Sequence, residues 1–219
     1  MLDAGADING THSTNYAKEG TALLWAAVRD DIDVVRLLIA NGADLDRPET
    51  DYNRSPLFGA AWYNNVEVIK ILLESGADPN FHSNWGKGQT PLHYALSNSS
   101  QEAVQALVEG GADLDSQTDG GTTPLMMARN REILTMLLKG GANPDVQDNS
   151  GDTALHRAAQ ANNEAFLSLL IEHGSDVGME NLEGQIALDL ATDDRVIETL
   201  REAGAVEGSQ VKTAPAEDS

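Results

Sequence analysis

Thr90-Pro91-Leu92-His93-Tyr94-Ala95 is one of six related blocks along this chain. The others are Thr21-Ala22-Leu23-Leu24-Trp25-Ala26, Ser55-Pro56-Leu57-Phe58-Gly59-Ala60, Thr123-Pro124-Leu125-Met126-Met127-Ala128, Thr153-Ala154-Leu155-His156-Arg157-Ala158 and Ile186-Ala187-Leu188-Asp189-Leu190-Ala191. Their spacings are 34, 35, 33, 30 and 33 residues. A second marker keeps step, from Gly5-Ala6-Asp7 through Gly42-Ala43-Asp44, Gly76-Ala77-Asp78, Gly111-Ala112-Asp113, Gly141-Ala142-Asn143 and Gly174-Ser175-Asp176 to Gly204-Ala205. A period near 33 means stacked copies of one supersecondary unit, because a single unit cannot bury its own apolar face.

Each unit reads as helix, turn, helix, finger. The Thr or Ser oxygen caps a first helix whose opening position is often Pro. A polar break such as Arg29-Asp30-Asp31 or Asn64-Asn65 separates it from a second apolar stretch, Val34 to Ile39 or Val66 to Leu73. That stretch stops at Gly, which takes a left-handed conformation without strain. The Asp-, Asn-, Gly- and Ser-rich residues that follow favour turns.

These blocks, the Leu-Leu pair ahead of Gly-Ala-Asp and the 33-residue step resemble the ankyrin repeat. The resemblance implies an all-α solenoid of stacked helix-turn-helix units with protruding hairpin fingers over residues 1–205. It places a partial repeat at 1–20 and repeats starting near 21, 55, 90, 123, 153 and 186. Two units depart from the pattern: Ala128 to Gly141 and Ala191 to Gly204 each span 13 residues where the others span 16. We expect the missing residues to come from the turn between the helices. The half-repeat at the start should leave Leu23 and Leu24 short of a covering layer, as in a fragment of a longer array. Leu200-Arg201 suits a terminal cap facing water, and 206–219 reads as a disordered acidic tail.

The formal charge of −21 argues against a nucleic-acid or anionic-membrane surface, either of which needs clustered Lys and Arg. No cysteine is present, so no disulfide stabilises the array and thiols say nothing of the compartment. No 18-residue apolar run and no signal-peptide pattern occurs, so a soluble, cytoplasmic protein is expected, and the chain is expected to be monomeric. No catalytic constellation is legible. The resemblance assigns His93 and His156 to structural hydrogen bonds between repeats, and His12, His82 and His173 have no nucleophile or carboxylate at a catalytic spacing. Asp113-Leu114-Asp115 resembles the start of a calcium loop but lacks Gly at the sixth position and Glu at the twelfth. Asp145, Asp148 and Asp152 read as turn residues, and Gly86-Lys87-Gly88 is no phosphate loop. No cofactor or metal is expected, and the chain reads as a non-enzyme.

The resemblance puts partners in a concave groove lined by the first helices and the fingers. There Trp62 and Tyr63 stand out, because the neighbouring units hold Val28-Arg29, Ser97-Asn98 and Gln160-Ala161 at the same place. The fingers are longest at the N-terminal end: Asn9 to Thr21 spans 12 residues, Asn80 to Thr90 spans 10, Asp46 to Ser55 spans 9, and later ones span 8. The long ones carry Tyr16, Tyr52 with Arg54, and Trp85 with Lys87. Aromatic residues and Arg dominate interface affinity, so Tyr16, Arg29, Tyr52, Arg54, Trp62, Tyr63, Trp85 and Lys87 are the candidate partner-binding residues. Trp25 and Tyr94 occupy an ordinarily apolar block position and are expected in the core. The functional expectation is a protein-interaction module acting as scaffold, inhibitor or adaptor. Two alternatives stand beside it: a recognition segment of a longer enzyme or secreted effector with its catalytic part upstream of Met1, and a stack that assembles with copies of itself.

Overall fold

The computed structural model describes residues 7–14, 17–84 and 88–206. The chain forms two compact units, Met1–Ala142 and Asn143–Ser219.

The first unit opens with an antiparallel hairpin of β1 (Thr11–Thr14) and β2 (Ala17–Thr21), with Thr11 opposite Thr21 and a bulge between His12 and Thr14. Four helix pairs follow: α1 (Ala22–Val28) with α2 (Ile32–Ala40), α3 (Pro56–Tyr63) with α4 (Val66–Glu74), α5 (Pro91–Ser97) with α6 (Gln101–Glu109), and α7 (Pro124–Met127) with α8 (Arg131–Lys139). The second unit holds two pairs, α9 (Ala154–Gln160) with α10 (Glu164–Glu172) and α11 (Ala187–Leu190) with α12 (Asp194–Glu202). Within the first unit α1, α3, α5 and α7 pack in sequence order, and α2, α4, α6 and α8 do the same. This is the stacked all-α repeat architecture that the spacing predicts.

Local chemistry explains the boundaries. The hydroxyls of Thr21 and Ser55 accept the N–H groups of Leu24 and Phe58, each at 3.2 Å. Ile186 has no hydroxyl, and there the carboxylate of Asp189 accepts the Ile186 N–H at 3.0 Å instead. After each second helix comes a glycine with φ of +81° to +98°, a region costly for any residue with a Cβ. At Gly42 this lets Ala43 donate back to the Leu38 carbonyl at 3.0 Å, satisfying a helix-end acceptor.

The shortened units correct one expectation. α7 and α11 have four residues, where the other first helices have seven or eight, whereas every second helix keeps nine. The loss therefore comes from the last turn of the first helix and not from the connection. A second expectation also fails. Leu23 and Leu24 are buried, at 1% and 2% exposure, with β2 packed on α1.

Side chains tie neighbouring units together. The Asn65 amide donates to the Ala27 and Val28 carbonyls at 2.6 and 3.1 Å, and that of Asn98 donates to the Trp62 carbonyl at 2.7 Å. In each case the Asn takes up acceptors left open at the end of the preceding first helix. Beneath the fingers runs a ladder. Asn9 Oδ1 accepts the Asp44 N–H at 2.8 Å, Asp46 Oδ1 that of Asp78 at 2.9 Å, and Asn80 Oδ1 that of Asp113 at 2.7 Å. In the second unit Asp145 Oδ1 accepts the Asp176 N–H at 2.9 Å.

The histidine blocks follow the expected design. His93 Nδ1 accepts the Thr90 N–H at 3.2 Å, which leaves the ring proton on Nε2 to be donated to the Thr122 carbonyl, also at 3.2 Å, in the next unit. His156 does the same between Thr153 and the Gln185 carbonyl. Burial lowers the His93 pKa to about 4, so the ring is neutral at pH 7.

Candidate protein interface

The side chains that set the first unit apart lie where α1, α3 and α5 meet the second finger. α3 is apolar nearly all round, and Pro56 through Ala61 are buried. Only its last turn reaches the surface, where Trp62 is half-buried and Tyr63 is 56% exposed. The Trp62 ring stacks on Tyr94 of α5, with centroids 4.8 Å apart and planes 19° from parallel. Phe58 closes the cluster edge-on against Tyr94 at 4.3 Å and lies 6.2 Å from Trp62. Burial pushes the Tyr94 phenol up to about 12, so it carries its proton at any ordinary pH.

Arg54 reaches this cluster from the finger. Its Nε and Nη2 donate to the two carboxylate oxygens of Glu49, the second at 2.7 Å. Glu49 is 1% exposed, and a buried carboxylate persists only when paired and hydrogen-bonded. The Glu49 N–H also donates to the Arg54 carbonyl at 3.1 Å, closing the finger on itself. Thus fixed, the guanidinium lies 5.3 Å from the Tyr52 centroid and 5.9 Å from that of Trp62, within the range of cation–π attraction. The finger is anchored on both sides: Thr50 donates to the Glu19 carbonyl of β2, and Asn84 and the Ser83 hydroxyl donate to the Tyr52 carbonyl.

Between α1 and α3 lies a small depression of about 40 Å³ lined by Leu24, Trp25, Val28, Arg54, Gly59, Trp62 and Tyr63. Gly59 creates it. This block position holds Trp25 in α1 and Tyr94 in α5, whereas α3 has no side chain there. A Cβ on Gly59 would come within 2.9 Å of Val28 Cγ2. Trp25 is half-buried and borders the depression, which corrects its expected place in the core; Tyr94 is buried as expected. The indole Nε1 of Trp25 is buried and has no hydrogen-bond partner among the described residues.

The structure thus gathers Tyr52, Arg54, Trp62 and Tyr63 around one surface, with Arg29 exposed at the end of α1. Tyr16, Trp85 and Lys87 lie outside the described residues. Sequence reasoning missed Glu49, which is one of 35 acidic residues and has no distinguishing pattern, and Gly59, whose small size counts only beside its large counterparts. The other motifs serve local structure. Asp113 Oδ1 accepts the Asp115 N–H at 3.0 Å in a turn. Asp148 accepts the N–H groups of Ser150 and Asp152 and a bond from Arg157 at 2.7 Å. Among the described residues no helix is long and apolar enough to cross a membrane.

The family model described as "Ankyrin repeats (3 copies)" matches over residues 1–83, 75–148 and 128–209. The chain belongs to the ankyrin-repeat family. Among curated relatives it is 32% identical over 216 residues to human palmitoyltransferase ZDHHC17, covering 95% of this chain and 33% of that protein. It is 31% identical over 196 residues to the ZDHHC13 protein of Danio rerio, whose name places it among the palmitoyltransferases, covering 87% of this chain and 30% of that protein. A third similarity, 34% over 162 residues, is to human neurogenic locus notch homolog protein 1 and covers 72% of this chain and 6% of that protein. The chain therefore spans about a third of the length of the first two relatives.

Proposed function

We propose that this ankyrin array binds a partner protein through the α1–α3–α5 surface around Trp62 and Tyr63, as scaffold, inhibitor or adaptor, without a reaction of its own. One observation carries the reading. Tyr63 leaves more than half its surface open beside a depression edged by two indoles, while the Arg54 pairing with buried Glu49 holds the floor in place. Open aromatics on a rigid support are the pattern of an affinity hot spot, because little conformational freedom is lost on binding. The partner is expected to offer an apolar or aromatic anchor, and the array to work as a cytoplasmic monomer.

A second reading is favoured by the lengths of the relatives: the array is the recognition segment of a longer protein whose catalytic part lies outside residues 1–219, and it captures that part's substrates. Both readings use the same surface. The test is affinity capture from source cells with the parent chain and with Tyr63→Asn, scored by quantitative mass spectrometry. Proteins bound by the parent and lost from the variant, at equal thermal midpoint, support the surface. Identical captured sets would move the interface elsewhere, and an enzyme's substrates among the lost proteins would favour the second reading.

A further inference from the structure

The six second helices have nine residues each and align without gaps, so equivalent positions compare directly. The fourth and seventh positions face the unit's own core. In the first unit they are Val35 and Leu38, Ile69 and Leu72, Val104 and Leu107, and Leu134 and Leu137, all buried. The third and sixth positions behave differently. Val68 and Ile71 in α4 are 0% and 4% exposed, and Ala103 and Ala106 in α6 are 0% and 4% exposed. In α2 the same two positions hold Val34 and Leu37, which are 38% and 51% exposed.

The neighbours explain the difference. α4 packs between α2 and α6, and α6 between α4 and α8, whereas α2 has a second-helix neighbour on one side only, among the described residues. Both positions are thus buried in α4 and α6, which have a preceding second helix; in α8, which follows α6, Ile133 is buried and Met136 half-buried. α2 keeps the apolar residues of that joint without the helix that covers them, and large exposed apolar residues at matched helical spacing mark a contact surface.

We propose that the α2 face carrying Val34 and Leu37 docks the second helix of a further ankyrin-type repeat joined ahead of Gly5. The existing joints specify that helix. Between α2 and α4, Arg36 donates to Glu67 at 3.3 Å. Asp33 of α2 stands at the Glu67 position and is exposed, so the docking helix carries Arg or Lys at its fifth position, opposite Asp33. A second copy of the chain fits less well. Related by a two-fold axis, it would bring Asp30, Asp31 and Asp33 of both chains together on molecules that already carry a charge of −21. Stacked head to tail, it would present α12, where exposed Glu198, Arg201 and Glu202 would meet Val34 and Leu37.

The test replaces Met1–Ala4 of the full chain with a duplicate of Thr21–Asn41, which brings a copy of α2, with its own Arg36, ahead of Gly5. The extended chain should melt higher by on the order of 5 °C, since each added neighbour interface stabilises a quasi-one-dimensional array. The amides of α2 should exchange more slowly. Val34→Asn with Leu37→Asn should abolish both gains in the extended chain while leaving the parent's midpoint nearly unchanged. Asp33→Lys in the extended chain should lower the midpoint, and Arg36→Glu in the duplicate should restore it. No gain on extension, or a gain that survives the Val34 and Leu37 changes, would overturn the proposal. So would a parent chain that dimerises in light scattering and becomes monomeric with Leu37→Asn, because that result assigns the face to a second copy.

Discussion

The Trp62 indole stacks on the Tyr94 ring at 4.8 Å, and so joins the end of α3 to α5, whereas its neighbour Tyr63 is 56% exposed. The two adjacent aromatics therefore have separable roles. Trp62→Ser removes a half-buried ring and its stack, and should lower stability by about 1–3 kcal/mol as well as weakening a partner. Tyr63→Asn should leave stability within about 0.5 kcal/mol and cost on the order of 2 kcal/mol of binding, roughly thirtyfold in affinity. Calorimetric melting and titration on the two single variants check this.

Glu49 and Arg54 are expected to behave as a unit. Arg54→Met leaves a carboxylate that is 1% exposed without its cation and should cost about 3–5 kcal/mol. Adding Glu49→Leu should recover much of that loss in stability, because replacing both partners of a buried pair with apolar groups is often near neutral. Denaturant unfolding of the three variants measures the cycle. A double variant as unstable as Arg54→Met would show that the pair contributes packing and not only charge compensation.

The repeat frame was legible from its punctuation, because Thr-Pro starts and Gly stops act through local backbone chemistry that sequence displays directly. The His93 and His156 bridges were legible for the same reason, through the resemblance that their blocks carry. What escaped depends on three-dimensional neighbours. Gly59 matters because Val28 of α1 packs against it where a Cβ would sit, and Glu49 because Arg54 folds back on it. Trp25 was expected in the core from its block position, but it is half-buried at the edge of the depression. The shortened units misled in the same way, since a count of residues cannot say whether a helix end or a turn gives way.

His93 makes stability depend on pH. Its pKa falls to about 4 in the folded chain from 6.5, so the unfolded chain binds the proton more readily. The stabilisation is complete above pH 6.5 and is lost progressively as pH falls toward 4, up to about 3 kcal/mol in all. Between pH 6.5 and 5 the parent should lose about 2 kcal/mol more than His93→Gln, as read by urea unfolding. Parallel curves for the two proteins would reject the assignment.

The four-residue helix α7 should open more readily than α5. It offers one short turn to its neighbours, with Met126 and Met127 only half-buried, whereas Leu92 and Ala95 of α5 are fully buried. Native-state hydrogen exchange should show weaker protection at Met127 and Ala128 than at Asn98. Equal protection would mean that the flanking packing compensates for the lost turn.

The Asn and Asp ladder beneath the fingers makes the joints interchangeable. Asn9, Asp46 and Asn80 each offer a side-chain oxygen to the backbone N–H at the start of the next finger, and either residue type fills the role. If Asp46 through Pro79 were excised, Leu45 would run directly into Asn80. The Asn80 N–H would still find Asp44, and Asn80 would still hold Asp113. In this ladder an array can gain or lose a whole unit in one recombination event without inventing a new hydrogen bond beneath the fingers. The excised length carries Arg54, Trp62 and Tyr63, so a shortened descendant would keep its architecture and lose its specificity. Such a chain can be copied for its frame and diversified for its fingers, and the two histories are written in different residues.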